Sequence, residues 1–87
     1  MHDHPHSAIA RRLKRANGHL ETIIEMIEQG RPCVQIAQQL QAVESAIESA
    51  KKALIHDHVS HSLEQSFGAS GKGRAALRDF KLIAKYL

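Results

Sequence analysis

Apolar residues in the first half of the chain recur in alternating steps of four and three: Ile9, Leu13, Ala16, Leu20, Ile23 or Ile24, and Ile27. That rhythm is the seam of one helix face, and it leaves little room for anything but a packing of helices. Ser7 suits the N-cap of this first helix, and Gly30 supplies its C-terminal stop. Gly18, inside it, costs about 1 kcal/mol relative to alanine, a cost that close packing against a neighbouring helix would justify. Pro32 then suits the first position of a second helix. Its seam reads Cys33, Ile36, Leu40, Val43, Ile47, Ala50, Leu54, His58, His61. Small residues at Ala37, Ala46, Ala50 and Ala53 would let partner helices approach closely. A helix of about 30 residues is long for a small globular protein, and one with a single apolar seam usually pairs with copies of itself. "GASGKG", residues 68–73, reads as a loop. "RAALRDFKLIAKYL" reads as a third helix with Leu77, Phe80, Ile83 and Ala84 on one face, and Arg74, Arg78, Lys81 and Lys85 mostly off it. No strand pattern or internal repeat is visible. The expected organisation is one all-α domain: a tail over 1–7 and helices over 8–29, 32–65 and 74–87.

A chain of 87 residues is one domain at most, and a core of that size is marginal alone. With no tryptophan, one tyrosine and two phenylalanines, aromatic burial adds little, so self-association is expected. The net charge of +3 serves solubility and also suits an anionic partner such as nucleic acid. A single cysteine excludes an internal disulfide and fits a reducing compartment. No apolar run approaches membrane length, and "MHDHPHSAIA" lacks the basic start and apolar run of a signal peptide. A cytoplasmic protein without membrane partners is the expectation.

Two residues on the second seam set a geometric condition. Cys33 and His58 are 25 positions apart, which on one helix is about 37 Å at 1.5 Å per residue. Within one chain they share nothing. If two copies of helix 2 pack antiparallel, Cys33 of one copy meets His58 of the other, and two-fold symmetry makes two such sites. The bland alternative is a small buried cysteine and a satisfied core histidine. Cys33 also stands in the first turn of its helix near Arg31, and thiolate is the form of cysteine that binds metals.

"LIHDHVSHSL", residues 54–63, holds three of the seven histidines. His58 and His61 are three apart and point in neighbouring directions; His56 points elsewhere, toward solvent. His2, His4 and His6 form a metal-capable tail, while His19 lies mid-helix in a structural or exposed position. One thiolate with several imidazoles suits Ni(II), Co(II) or Zn(II); Cu(I) prefers more sulfur. Ser62 is a poor ligand. On helix 1, "RRLKR" places Arg11, Arg12, Lys14 and Arg15 around Leu13. Such a run is commonly a solvated face, and it is also what phosphate binding needs. No helix-turn-helix, zinc finger or aromatic stacking platform accompanies it, so a DNA surface would have to be assembled from several chains. Catalysis is not indicated. No paired carboxylates or nucleophile–base set stands out, and "GASGKG" lacks the spacing and preceding strand of a P-loop.

"RLKRANGHL", "GRPCVQIAQQLQAVESAI" and "LIHDHVSHSL" together resemble the CsoR/RcnR-type bacterial repressors, which include copper, nickel–cobalt and formaldehyde sensors. The resemblance covers residues 8–64, with a compatible third helix after it. It implies an all-helical three-helix protomer, an antiparallel dimer built on helices 1 and 2, and a disc-like tetramer, a dimer of dimers. It implies binding to double-stranded operator DNA, released when an effector occupies the site. The family's cysteine position falls on Cys33 and its histidine position on His58, contributed across the dimer. Its basic DNA positions fall on Arg12 and Arg15.

The chain departs from that pattern at Ser62, where copper sensors of the family carry cysteine and nickel–cobalt sensors histidine. His61 is the adjacent substitute. The N-terminal ligand position aligns near Met1, which makes His2 the nearest candidate, with His4 or His6 reachable if the tail bends, and with the α-amino group as a further donor. The resulting expectation is a repressor released by Ni(II) or Co(II) and controlling metal efflux. A missing fourth ligand also occurs in the family's formaldehyde sensors, where the aldehyde bridges the cysteine and the N-terminal amine. Those look proline-started, whereas this chain has Pro5 further in. A metal buffer without a DNA role, resting on the histidine tail, is the remaining alternative.

Overall fold

The computed structural model describes residues 6–66 and 72–87; the histidines at 2 and 4 and most of the expected 68–73 loop lie outside the described residues. Among the described residues there are three α-helices: α1 (Ser7–Glu28), α2 (Cys33–Ser66) and α3 (Lys72–Ala84). No strand occurs among the described residues, so the chain is all-α. The helices fall in two compact units, Met1–Ala50 and Lys51–Leu87.

The turn between α1 and α2 follows from one residue. Gly30 has φ +70°, the left-handed conformation that L side chains resist. It closes α1 with two reversed hydrogen bonds: Gly30 N–H donates to the Ile27 carbonyl at 3.1 Å and Arg31 N–H to the Met26 carbonyl at 3.0 Å. This is a Schellman ending, at the stop that the sequence signals. Pro32 comes next, one position earlier in the helix frame than expected. Its carbonyl accepts from Ile36 N–H at 3.1 Å, making Pro32 the cap residue and Cys33 the first residue of α2. The missing N–H of proline costs nothing there, because helix-start donors have no intrahelical partner.

In the first unit, α1 and the beginning of α2 pair as an antiparallel hairpin. Its core is spaced in sevens: Ile9, Ala16 and Ile23 on α1, with Val43 and Ala50 on α2. Ile23 is 1% exposed, and burying an isoleucine side chain contributes about 1.5–3 kcal/mol. The single seam expected on α1 therefore divides. Its alternate members Leu13, Leu20 and Ile27, together with Ile24, remain exposed, as do Leu40 and Ile47 on α2. One antiparallel neighbour can cover only one side of such a wide apolar stripe. In the second unit, Ile55 is the buried apolar residue; it lies off the expected seam.

Three local expectations change. Ser7 is the first helical residue and His6 occupies the cap position, with no side-chain cap hydrogen bond. Gly18 is not packed against a neighbouring helix: a Cβ there would meet nothing within 4 Å. Its carbonyl accepts instead from Thr22 Oγ1 at 3.3 Å. α3 is also shifted, beginning at Lys72 and ending at Ala84, with Tyr86 and Leu87 in a closing turn.

The two glycines should respond oppositely to alanine. Gly18→Ala adds helix propensity in open space and should stabilise by about 0.5–1 kcal/mol. Gly30→Ala meets no clash but must hold φ > 0, and should destabilise by about 1–2 kcal/mol. Urea melts of both variants check this; a loss at Gly18→Ala would instead place a partner surface against that face.

Candidate functional site

In the second unit a polar contact links two helices. His58, on α2, shares a hydrogen bond through Nε2 with Oδ2 of Asp79, on α3. Both side chains are partly exposed. An ionised carboxylate only accepts hydrogen bonds, so Nε2 carries the proton and donates. The other ring nitrogen, Nδ1, then keeps its lone pair whenever the ring is neutral. This is the arrangement that prepares a histidine for a metal: one nitrogen fixed by a carboxylate, the other left as the donor. Asp79 escapes a reading by local spacing because it lies 21 positions from His58. The available signal is that it is the one acidic residue between 74 and 87.

The other histidines of this stretch separate as their helical directions suggest. His56 is solvated, with its side chain 81% exposed and Asp57 Oδ1 at 3.8 Å. His61 is exposed. Ser62 lines a largely apolar groove of about 490 Å³ with Val59, Leu63, Gly73, Ala76, Leu77, Asp79 and Phe80.

In the first unit, Cys33 is a free, exposed thiol at the first residue of α2. Arg31 donates to Gln35 Oε1 at 3.0 Å, so its guanidinium has a partner other than the thiol. Among the described residues, no group of three or more His, Cys, Asp or Glu side chains gathers to hold a metal. Of the candidates, Cys33 lies in the first unit and His58 and His61 in the second, and His2 and His4 lie outside the described residues.

The basic candidates sit on the exposed side of α1. Arg11, Arg12, Lys14 and Arg15 are all exposed. Arg12 and Arg15 line a cavity of about 480 Å³ together with Ala16 and His19 of α1 and Ala46 and Ser49 of α2. His19, expected to be structural or exposed, is half-buried, and its Nε2 lies 2.6 Å from Gln39 Oε1. It thereby ties α1 to α2. No helix in the described residues is long and apolar enough to cross a membrane.

The described residues thus form an all-α chain that carries an imidazole held by a carboxylate, a thiol at a helix start and a basic helix face. Comparison with known proteins gives the particular family. Residues 5–85 match the family model described as metal-sensitive transcriptional repressor, and the chain belongs to that family, which is one of repressors and not of enzymes. It is 42% identical over 82 residues to the copper-sensing transcriptional repressor CsoR of Mycobacterium ulcerans (strain Agy99), covering 91% of this chain and 67% of that one. It is 35% identical over 77 residues to CsoR of Bacillus subtilis (strain 168), covering 88% and 75%. It is 34% identical over 64 residues to the copper-sensing repressor RicR of Mycobacterium tuberculosis (strain ATCC 25618 / H37Rv), covering 74% and 67%. The chain spans about two thirds of the length of the first of these relatives. No solved structure matches it.

The His58–Asp79 contact makes a spectroscopic prediction. Long-range nitrogen–proton correlation should show neutral His58 as the Nε2–H tautomer, and Asp79→Ala should lose that preference.

Proposed function

We propose that the chain is an operator-binding transcriptional repressor, released from double-stranded DNA by a metal ion, with Ni(II) or Co(II) as effector and metal efflux as the regulated process. The observation that carries the reading is His58: Asp79 occupies its Nε2, leaving Nδ1 as a donor. The residues that would hold the ion are Cys33 of one copy and His58 of a second, with His2 or His4 from the tail and His61 as further donors. One thiolate among imidazoles fits Ni(II) or Co(II), and also Zn(II). Cys33 is the sole cysteine, and Ser62 belongs to an apolar wall; both weigh against the sulfur-rich coordination that Cu(I) prefers. The second reading is copper, favoured by the relatives, which are copper-sensing repressors.

The uncovered apolar face supports assembly. Leu13, Leu20, Ile24 and Ile27 on α1, with Leu40 and Ile47 on α2, are exposed large hydrophobics on one small hairpin. A second copy packed antiparallel would cover them, and a dimer of dimers would complete a homotetramer. Arg12 and Arg15, with Arg11 and Lys14 beside them, supply cations for operator phosphates in a cytoplasmic protein. Release requires only that the donor set close better in the state that holds DNA poorly. The effector's differential affinity then sets the size of the response.

Operator binding should be titrated in parallel with Ni(II), Co(II), Zn(II), Cu(I) and formaldehyde. Ni(II) or Co(II) should release the DNA at the lowest free concentration. Cys33→Ala should bind DNA normally and lose the response, and Asp79→Ala should weaken metal affinity by about 10–100-fold. Charge reversal at Arg12 and Arg15 should abolish DNA binding, which a metal buffer would not notice. Release by Cu(I) alone would replace the nickel–cobalt reading with the copper one; release by formaldehyde alone would remove both.

A further inference from the structure

The cavity on the hairpin contains a residue that the basic run does not include. Arg12, Arg15 and His19 fall at steps of three and four on α1 and line one hollow, which α2 closes with Ala46 and Ser49. Three nitrogen-bearing side chains and a hydroxyl around one cavity are the donor chemistry of a phosphate group. No carboxylate lines it. The acidic residues of that part of α2, Glu44 and Glu48, line a neighbouring depression with Gln41, Ser45 and Ser49. Gln39, hydrogen-bonded to His19 Nε2, is uncharged.

We propose that this cavity is a backbone-phosphate subsite of the DNA surface, in which Arg12 and Arg15 are permanent cations, Ser49 is a hydroxyl donor, and His19 is a conditional third cation. This rests on the repressor reading above. Gln39 Oε1 accepts from Nε2–H in both the neutral and the protonated ring, so the hydrogen bond holds the imidazole in place through titration. Protonation then adds a charge and an N–H without requiring the ring to move. Imidazoles change charge between about pH 5 and pH 8. DNA affinity should therefore carry one more phosphate contact at the acidic end of that range than at the alkaline end.

The test measures binding of a labelled mixed-sequence duplex by the intact chain across a salt series, at about pH 5.5 and about pH 8. For the wild type, the slope of log affinity against log salt should steepen by about one unit at the lower pH, the signature of one added phosphate contact. The chain has seven histidines, so the variants decide the assignment. His19→Gln should remove that steepening. His19→Lys should hold the steeper slope at both pH values. Ser49→Ala should weaken binding by a few-fold at both, without altering the pH difference. Circular dichroism confirms that each variant keeps its helices, and inorganic phosphate exchanged for chloride at equal ionic strength shows whether a free anion competes for the cavity. A His19→Gln protein that keeps the wild-type steepening overturns the proposal while leaving the repressor reading intact. A strong selective loss of DNA to inorganic phosphate would make the cavity a free-anion site and also overturn it. Absence of duplex binding by every protein at both pH values would bring down the DNA surface itself.

Discussion

The pairing of α1 with the start of α2 is the contact on which the rest depends. Ile9, Ala16 and Ile23 face Val43 and Ala50 at intervals of seven residues, and a seven-residue repeat keeps one stripe of each helix turned toward its partner. Once that stripe is buried, the remaining directions of α1 are assigned. The basic residues 11, 12, 14 and 15 and the second half of the apolar stripe are left outside. The same helices thus present a cationic surface and an uncovered apolar one, in a chain too small to build a large core of its own.

The second organising contact is more local. His58 and Asp79 link α2 to α3 inside the second unit. A carboxylate on one nitrogen of an imidazole decides which nitrogen remains available. What looks like a helix–helix tie is therefore also a statement about coordination chemistry. Ser62, one turn beyond His58, sits in an apolar groove, and the number of good donors near His58 within one chain stays small. The proposed site therefore draws its remaining donors from a second copy or from the tail.

Much of this was legible in the sequence, and the limits are physical. Helix content followed from periodicity, and the stop at Gly30 from the one residue able to adopt its backbone conformation cheaply. The α1 seam was visible, but not its division. Periodicity reports which residues share a face and says nothing about how many neighbours that face meets. Gly18 appeared to need a close packing partner, yet open space surrounds it within the chain. Ser7 has the chemistry of a cap, but the helix begins one residue early and His6 takes the place. Cys33 and His58 were marked by their spacing. Asp79 and Gln39 were not, because their importance comes from contacts across helices 20 or more positions apart, which no short motif encodes. The family resemblance anticipated the repressor class that the family match establishes.

The central claim is that a thiol from one copy and an imidazole from another serve a single metal. Mixing two inactive chains tests it most directly. Cys33→Ala and His58→Ala proteins, each unable to complete a site alone, would be unfolded together, refolded and titrated with Ni(II) or Co(II). If the donors are shared between copies, random pairing restores about a quarter of the wild-type sites, since half of the dimers are mixed and each mixed dimer holds one intact pair. If no sites return while the mixed proteins still assemble, the shared thiol–imidazole site is contradicted.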